Sequence, residues 1–482
     1  MVWRPFATQP ETVDTLEVVD LNMRAPHFYP KHCREGEAGH NVLLEGTMGG
    51  TSRSPTVSTK LQQIAEQAGR YPDMVFTTLA HLIDVDFLRE AYRRTRKSAA
   101  PGVDGVTARE YAENLEDNLR DLYERLRSGR YIAPPVERAW IDEGSKKRGI
   151  GKPTFEDKIV QRAVVMLLGA IYEQDFHGFS HGFREGHSQH QALRELREQC
   201  MNMNIGWILD ADVSGFFDNL DRGLLREFIK RRVNDGGIVR LIGKWLNAGV
   251  LEGEILTYPE KGTPQGGVVS PMLSNIFLHY VLDEWFVRDV QPRMKGRCFL
   301  LRFADDFIIG CEMEEDVRRI MEVLPKRFDR FGLAIHPEKT ALVKFRKPGS
   351  RGELGKGNGT FDFLGFTHYW TKSRRGYWLI KRKTARRRLL RFTKHLWRWC
   401  RKYRHLPFGE QYRILCQKLR GYYQYYGVRG NFQVLAIVFQ HTERAWRYWL
   451  SRRSNKGSIN WEKFATIRGT WPLPKPRIVH NI

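Results

Sequence analysis

Two short apolar arms, Cys298–Phe303 and Phe307–Cys311, enclose the core of the stretch LLRFADDFIIG (residues 300–310) and leave Asp305 and Asp306 side by side between them. Apolar runs of this length, closing on a short polar break, predict a hairpin of two buried strands whose intervening residues present both carboxylates at a tip. Carboxylates a few ångströms apart repel by about 1 kcal/mol in water and several-fold more in less polar surroundings, so a partner must offset the cost. A divalent cation is the simplest partner, and hard oxygen ligands suit Mg²⁺. Acid pairs at surface turns are commonplace; the two arms set this one apart, because they would hold the turn in position.

A second acidic site follows the same logic. In WILDADVSGFFDNL (207–220) the apolar strand GWIL runs into Asp212, which would meet the first pair across a sheet. Three carboxylates on two adjacent strands suit two metal ions, the arrangement that activates an attacking oxygen and stabilises a leaving one in phosphoryl transfer. The neighbouring Asp210 and Asp218 are expected to be turn and helix-cap acids.

Charge gives the partner. The chain of 482 residues carries a net +24, yet residues 371–460 alone hold 24 Lys or Arg against two acids, Glu410 and Glu443. That block is +22, whereas residues 1–370 are nearly neutral. A surface of this kind gains affinity for polyanions by releasing their condensed counterions, so nucleic acid is the expected partner. Lys381, Arg382, Lys383, Arg386, Arg387 and Arg388 in KRKTARRR, with Arg420, are the candidate contacts. Aromatics alternate with the charges in LWRWCRKY, RGYYQYYG and RAWRYW. At helical spacing most of these rings are expected in the core and a few on bases.

No run reaches the roughly 18–20 apolar residues of a membrane span. The N-terminus lacks the basic start and apolar run of a secretory signal, so a cytoplasmic location is expected, nucleoid-associated when on DNA. The six cysteines include no CxxC pair and point to buried reduced thiols.

Along the chain, residues 1–57 are rich in Gly, Ser and Thr with weak periodicity and are expected to be poorly ordered. A helical region follows, broken by APGVDGVT and by Pro134 and Pro135. A mixed segment comes next, with a short strand, a basic Gly-rich turn and a long helix, and then the two acidic strands. From Thr384 the pattern becomes helical and basic. The expected divisions are 1–57, 58–383 and 384–482.

The motifs DVSGFF, GTPQGGVVSPMLSNIFL and RFADDF, in that order, resemble the palm motifs of reverse transcriptases, specifically those of bacterial group II introns. The resemblance continues through PGVDGVT, RGIGKPTFEDKIVQRA, SHGFREGHSQHQAL, FGLAIHPEKT, FDFLGF and LRGYYQYYGVRGN, over roughly residues 75 to 450. It implies an α+β right-hand polymerase: helical fingers, a palm with an antiparallel sheet, and a helical thumb or maturase domain. It implies an RNA-directed DNA polymerase that uses two Mg²⁺ ions and dNTP substrates on an RNA template and primer. Group II intron RNA and target DNA are the further partners implied. Asp212, Asp305 and Asp306 match the metal ligands, and Phe217 matches the gate against a ribose 2′-hydroxyl. Gln265 matches a residue that steadies the nucleotide, Arg184 and Arg148 match triphosphate contacts, and Lys339 matches a lysine that protonates pyrophosphate. The alternatives are a chiefly RNA-binding splicing cofactor, or a domesticated relative in DNA repair or phage defence.

Two residues depart from the pattern. Phe303 replaces the usual tyrosine before ADD, and Lys152 stands in GKPT where an apolar residue is usual. The chain closes on PLPKPRIVHNI without a Cys and His endonuclease cluster, so target cleavage by this chain is not expected.

Overall fold

The computed structural model describes residues 56–142, 147–253, 255–258, 262, 266–348, 359–454 and 457–482, with Asp142, Lys147 and Arg148 described by backbone only. The expected N-terminal extension, residues 1–57, falls almost entirely outside them. The described residues form two compact units that divide between Gly359 and Thr360.

The first unit begins with helices α1 (Val57–Arg70), α2 (Val85–Arg94), α3 (Ala108–Glu113) and α4 (Leu115–Arg127). Strands β1 (Val136–Asp142) and β2 (Lys147–Lys152) form an antiparallel pair and lead into α5 (Phe155–Asp175). α5 is apolar on most of its circumference, and thirteen of its residues are buried, which makes it the axis of the helical part. GKPTFED supplies its start: the Thr154 hydroxyl accepts from the Asp157 amide, with Glu156 and Asp157 in the first turn. PGVDG docks on that start. A Cβ on Gly102 would lie 2.5 Å from the Thr154 nitrogen, and buried Lys158 donates to the Ala100 carbonyl at 2.6 Å.

Next come α6 (Gln189–Asn202), β3 (Trp207–Ala211), β4 (Val213–Ser214) and α7 (Phe216–Asn219). They are followed by α8 (Arg222–Lys230), α9 (Gly236–Leu246), β5 (Val250–Glu252) and β6 (Ile255–Thr257). α10 (Ser270–Leu278) runs on through two π-helical turns, His279–Asp283 and Phe286–Val290. β7 (Cys298–Phe303), β8 (Asp306–Cys311), α11 (Glu314–Asp329), β9 (Ala334–Ile335) and β10 (Ala341–Lys344) complete the unit.

Two four-stranded sheets result. One has the order β2-β1-β5-β6, with β1 and β5 parallel; the other is wholly antiparallel, in the order β10-β3-β8-β7. β3 and β8 are the inner strands of the second sheet and are buried along most of their length, as apolar strands between two neighbours should be. Asp210 lies within β3, paired to Ala341 and Ile308, and so is a strand residue instead of the expected turn or cap acid. Asp218 falls, as expected, in the first turn of the short α7.

The second unit starts with an antiparallel sheet, β11 (Phe361–Phe363), β12 (Phe366–Lys372) and β13 (Trp378–Thr384), in that order. Helices α12 (Arg386–Lys402), α13 (Phe408–Tyr426), α14 (Phe432–Leu450) and α15 (Trp461–Thr470) follow. These three strands are compact with the basic helices, so this unit starts upstream of the break expected at 383/384. The motif GVRGN ties sheet to helices. Buried Asn431 accepts from the Thr384 amide at 3.0 Å and donates to the Thr384 hydroxyl and the Tyr426 carbonyl. Of the rings in the basic motifs, Trp399, Tyr422, Tyr423, Tyr426 and Trp446 are buried, whereas Trp397, Tyr403, Tyr425, Tyr448 and Trp449 are only half-buried, so fewer lie in the core than expected.

Candidate active site

β7 and β8 pair in register from Cys298↔Cys311 to Phe303↔Asp306, so the connection has only two residues, Ala304 and Asp305. Asp306 belongs to β8 itself. Ala304 takes φ +59° while Asp305 is not left-handed, the pattern of a two-residue hairpin turn that ordinarily takes glycine first. A non-glycine residue there costs on the order of 1–2 kcal/mol, which the surrounding contacts must offset.

Asp212 arrives from the next strand. Ala211 pairs with Phe307, so Asp212 and Asp306, one residue further along each strand, emerge at the same end of neighbours spaced by about 5 Å. Beyond Asp212 the chain pairs with β9, Val213 opposite Ile335, and the His336 amide donates to the Asp212 carbonyl at 2.8 Å. This brings FGLAIHPEKT to the site: the Lys339 ammonium ion-pairs with Asp212 Oδ2. Of the expected site residues outside the acidic strands, Lys339 is thus one whose side chain reaches an acid at the strand ends.

Gly215, at φ +54°, turns the chain into α7 and places Phe217 half-buried, edge-to-face with Phe216 at 5.3 Å. Gly262 packs on this turn, since a Cβ there would lie 2.5 Å from the Phe217 carbonyl oxygen, and its amide donates to Leu220. Gly266, at φ +108°, lies against β2, with only 2.2 Å between a Cβ site and the Gly151 carbonyl oxygen. Gln265, between these two glycines, lies outside the described residues. Arg148 sits on β2 opposite Ile141, and its side chain is likewise outside the description.

Arg184 does something other than expected. It is buried and spends its donors on Glu173 at 2.9 Å and on the carbonyls of His177 and Ser180 at 2.7 and 2.6 Å. The guanidinium therefore clamps the loop after α5, and the expected role as a triphosphate contact is not compatible with that burial. Arg382 is corrected in the same way. β13 alternates, with Ile380, Arg382 and Thr384 inward and Lys381 and Lys383 outward, so Arg382 lies under the sheet opposite buried His368. Lys383, Arg386, Arg387, Arg388 and Arg420 are exposed and Lys381 is half-exposed, all free of this burial.

Several residues that hold the site escaped sequence reasoning. Asp157, buried, accepts from Tyr131, from Trp245 Nε1 at 2.7 Å and from Gln161 at 2.8 Å; burial pushes its carboxyl above the usual range. Gln161 in turn accepts from the Val269 amide at 3.1 Å, at the entry to α10. The polar residues of EDKIVQRA, set in an otherwise apolar run, were the signal.

Carboxylates at the ends of two adjacent strands, one of them already drawing an ammonium, form a donor set suited to hard divalent cations. The sequence profile of the reverse transcriptase (RNA-dependent DNA polymerase) family matches residues 141–368, which span both acidic strands. Protein YkfC of Escherichia coli K12 is 36% identical over 286 residues, covering 52% of this chain and 75% of that protein. Group II intron-encoded protein LtrA of Lactococcus lactis subsp. cremoris is 35% identical over 276 residues, 56% of this chain and 44% of LtrA. The chain belongs to the group II intron reverse transcriptase family. Nuclear intron maturase 1 of Arabidopsis thaliana is a more distant relative, 27% identical over 120 residues. As a group II-type reverse transcriptase, the chain carries its polymerase motifs in the first unit and its charge excess in the second. It spans three quarters of YkfC and less than half of LtrA. Reverse transcriptase domains work with divalent metal ions, and the α+β content agrees with the expected class. Among the described residues no helix is long and apolar enough to cross a membrane.

Proposed function

We propose that this protein is an RNA-directed DNA polymerase that extends a primer 3′-hydroxyl with deoxynucleotides on an RNA template. The observation that carries the reading is the convergence of Asp212, Asp305 and Asp306 at one end of the β3–β8–β7 strands. In this reading these three side chains hold two Mg²⁺ ions, which when bound activate the attacking oxygen and stabilise the charge on the departing pyrophosphate. Lys339, which is paired with Asp212 in the structure, would lie beside the bound cation and could serve as proton donor to the pyrophosphate through its ammonium. Phe217 closes the sugar side of the nucleotide site and excludes a 2′-hydroxyl. Gln265 steadies the base-paired nucleotide and Arg148 its phosphates; Arg184 is left out, since its donors are used within the protein.

The first unit is read as fingers and palm and the second as the thumb or maturase domain of a right-handed polymerase. Lys381, Lys383, Arg386, Arg387, Arg388 and Arg420 are the residues assigned to RNA and primer-template phosphates. The +22 block also favours a second reading, compatible with the first, in which the protein binds group II intron RNA and assists its splicing. Replacing Asp305 and Asp306 with Ala is expected to abolish primer extension on an RNA template and to leave the melting transition in place. DNA synthesis by that variant would refute the polymerase assignment. The same variant should still promote intron splicing, whereas neutralising KRKTARRR should impair it.

A further inference from the structure

We propose that Arg302, wholly buried as the penultimate residue of β7 before the catalytic turn, is a positioning residue that sets the orientation of Asp305. This inference rests on the polymerase reading of the acidic site. Arg302 has no exposed surface, and neither has its partner Asp283, which lies in the π-helical turn after α10. The guanidinium donates from Nε and Nη2 to the two Asp283 oxygens at 2.8 and 2.5 Å. Nη1 donates to Asn275 Oδ1 and to the Ala304 carbonyl, both at 3.0 Å.

The last contact decides the role. The Ala304 carbonyl belongs to the peptide plane that enters Asp305, so fixing that oxygen fixes the plane from which the Asp305 side chain departs. The turn would otherwise be loose, since Ala304 stands at φ +59°, where an L residue is disfavoured. It is held from a second side as well. Asn275 donates to the Gly182 carbonyl at 2.6 Å, and a Cβ on Gly182 would stand 2.1 Å from the Ala304 nitrogen. Backbone bonds His181 N–H to Arg302 O at 2.8 Å and Arg302 N–H to Phe179 O at 2.9 Å lay this loop along β7.

A buried ion pair is a poor way to gain stability, because apolar residues of similar volume do as well or better. What a guanidinium adds is a rigid fork that reaches four acceptor atoms on three residues at fixed angles, and lysine has no such fork. A π-helical turn, uncommon in soluble proteins and concentrated at functional sites, supplies the carboxylate. These features assign the network to geometry at the metal-binding end of the sheet.

The test is Arg302→Lys, which keeps the charge and loses the fork. Folding is checked by melting and by metal-free binding of a primer-template duplex. Single-nucleotide addition gives kcat and the dNTP KM, and electron paramagnetic resonance gives the affinity for Mn²⁺. A misplaced carboxylate should lower kcat at least about tenfold and weaken Mn²⁺ binding several-fold, with KM and duplex affinity nearly unchanged. A folded variant with wild-type kcat and Mn²⁺ affinity would overturn the proposal. Should Arg302→Lys fail to fold, the apolar pair Arg302→Met with Asp283→Leu is measured in its place against the same two outcomes. The readouts also separate the two claims: a wild-type protein that binds Mn²⁺ at Asp305 yet extends no primer refutes the polymerase reading, while Mn²⁺ affinity still judges Arg302.

Discussion

In the proposed polymerase, a metal ion binding at Asp212 would have to compete with the Lys339 ammonium paired to it. The ammonium is more than half exposed, and an exposed ion pair is worth at most about 1 kcal/mol. Mg²⁺ must therefore compete with it only weakly, and Lys339→Ala is expected to lower the half-saturating Mg²⁺ concentration by up to about fivefold. If the same lysine protonates pyrophosphate, kcat falls in the same variant, so a Mg²⁺ titration of primer extension separates the two roles. Phe217 gives a second prediction. Its ring is anchored on Phe216 and its backbone on Gly262, so trimming the ring should open space without moving the turn. Phe217→Val is expected to improve ribonucleotide incorporation relative to deoxynucleotide by about 10-fold or more, read from the ratio of kcat/KM values. The acids of this site were legible as residues because aspartates between apolar arms have few structural uses. Arg302 was not, since an arginine beside a turn reads as a surface charge until Asp283 and Asn275, 19 and 27 positions away, are seen to meet it.

At the scale of elements, β13 separates two meanings of a basic run. KRK looks uniform in sequence, yet the period of two turns Lys381 and Lys383 outward and Arg382 inward. Lys383→Ala is expected to reduce the salt dependence of RNA binding by about one unit of log–log slope and to leave the melting temperature unchanged. Arg382→Ala should do the opposite, lowering the melting temperature while the salt slope of the folded protein is retained. The hairpin, the long α5 and the basic helices were legible because each has a clear period. The parallel β1–β5 pairing and the β4–β9 pairing were not, since each joins segments far apart in sequence over only two paired positions. The strand status of Asp210 was hidden for a related reason: the partners of β3 come from β8 and β10, about 100 residues or more downstream.

For the whole molecule, each unit keeps a buried histidine neutral. Burial lowers His279 in the first unit and His368 in the second to about 3. Both native values lie below the ordinary 6.5, so the unfolded chain takes up protons that the native one refuses as the pH falls. Stability is thus complete above about pH 6.5 and declines as pH drops toward 3, by up to about 1.4 kcal/mol per pH unit for each histidine. Melting temperatures measured from pH 7 to pH 4 should fall accordingly, and His368→Phe should flatten the profile of the C-terminal unit. The charge division between the units was legible in composition alone, because 24 bases against two acids in 90 residues need no fold to be noticed. Where the chain divides was less so. β11 to β13 carry the alternation of any sheet, and only their contacts assign them to the basic helices.

Gly182 has a mechanical consequence. Two backbones meet there with no side chain between them, and the Ala304 nitrogen stands closer than any Cβ would tolerate. A side chain at such a crossing would act as a spring, taking up small displacements by changing rotamer. Without one, a shift of the loop ahead of α6 by more than a few tenths of an ångström is transmitted undamped to the peptide that carries Asp305. If Asp305 holds a metal as proposed, thermal drift in that loop and accuracy at the metal would be a single tolerance, set partly by a segment outside the acidic strands.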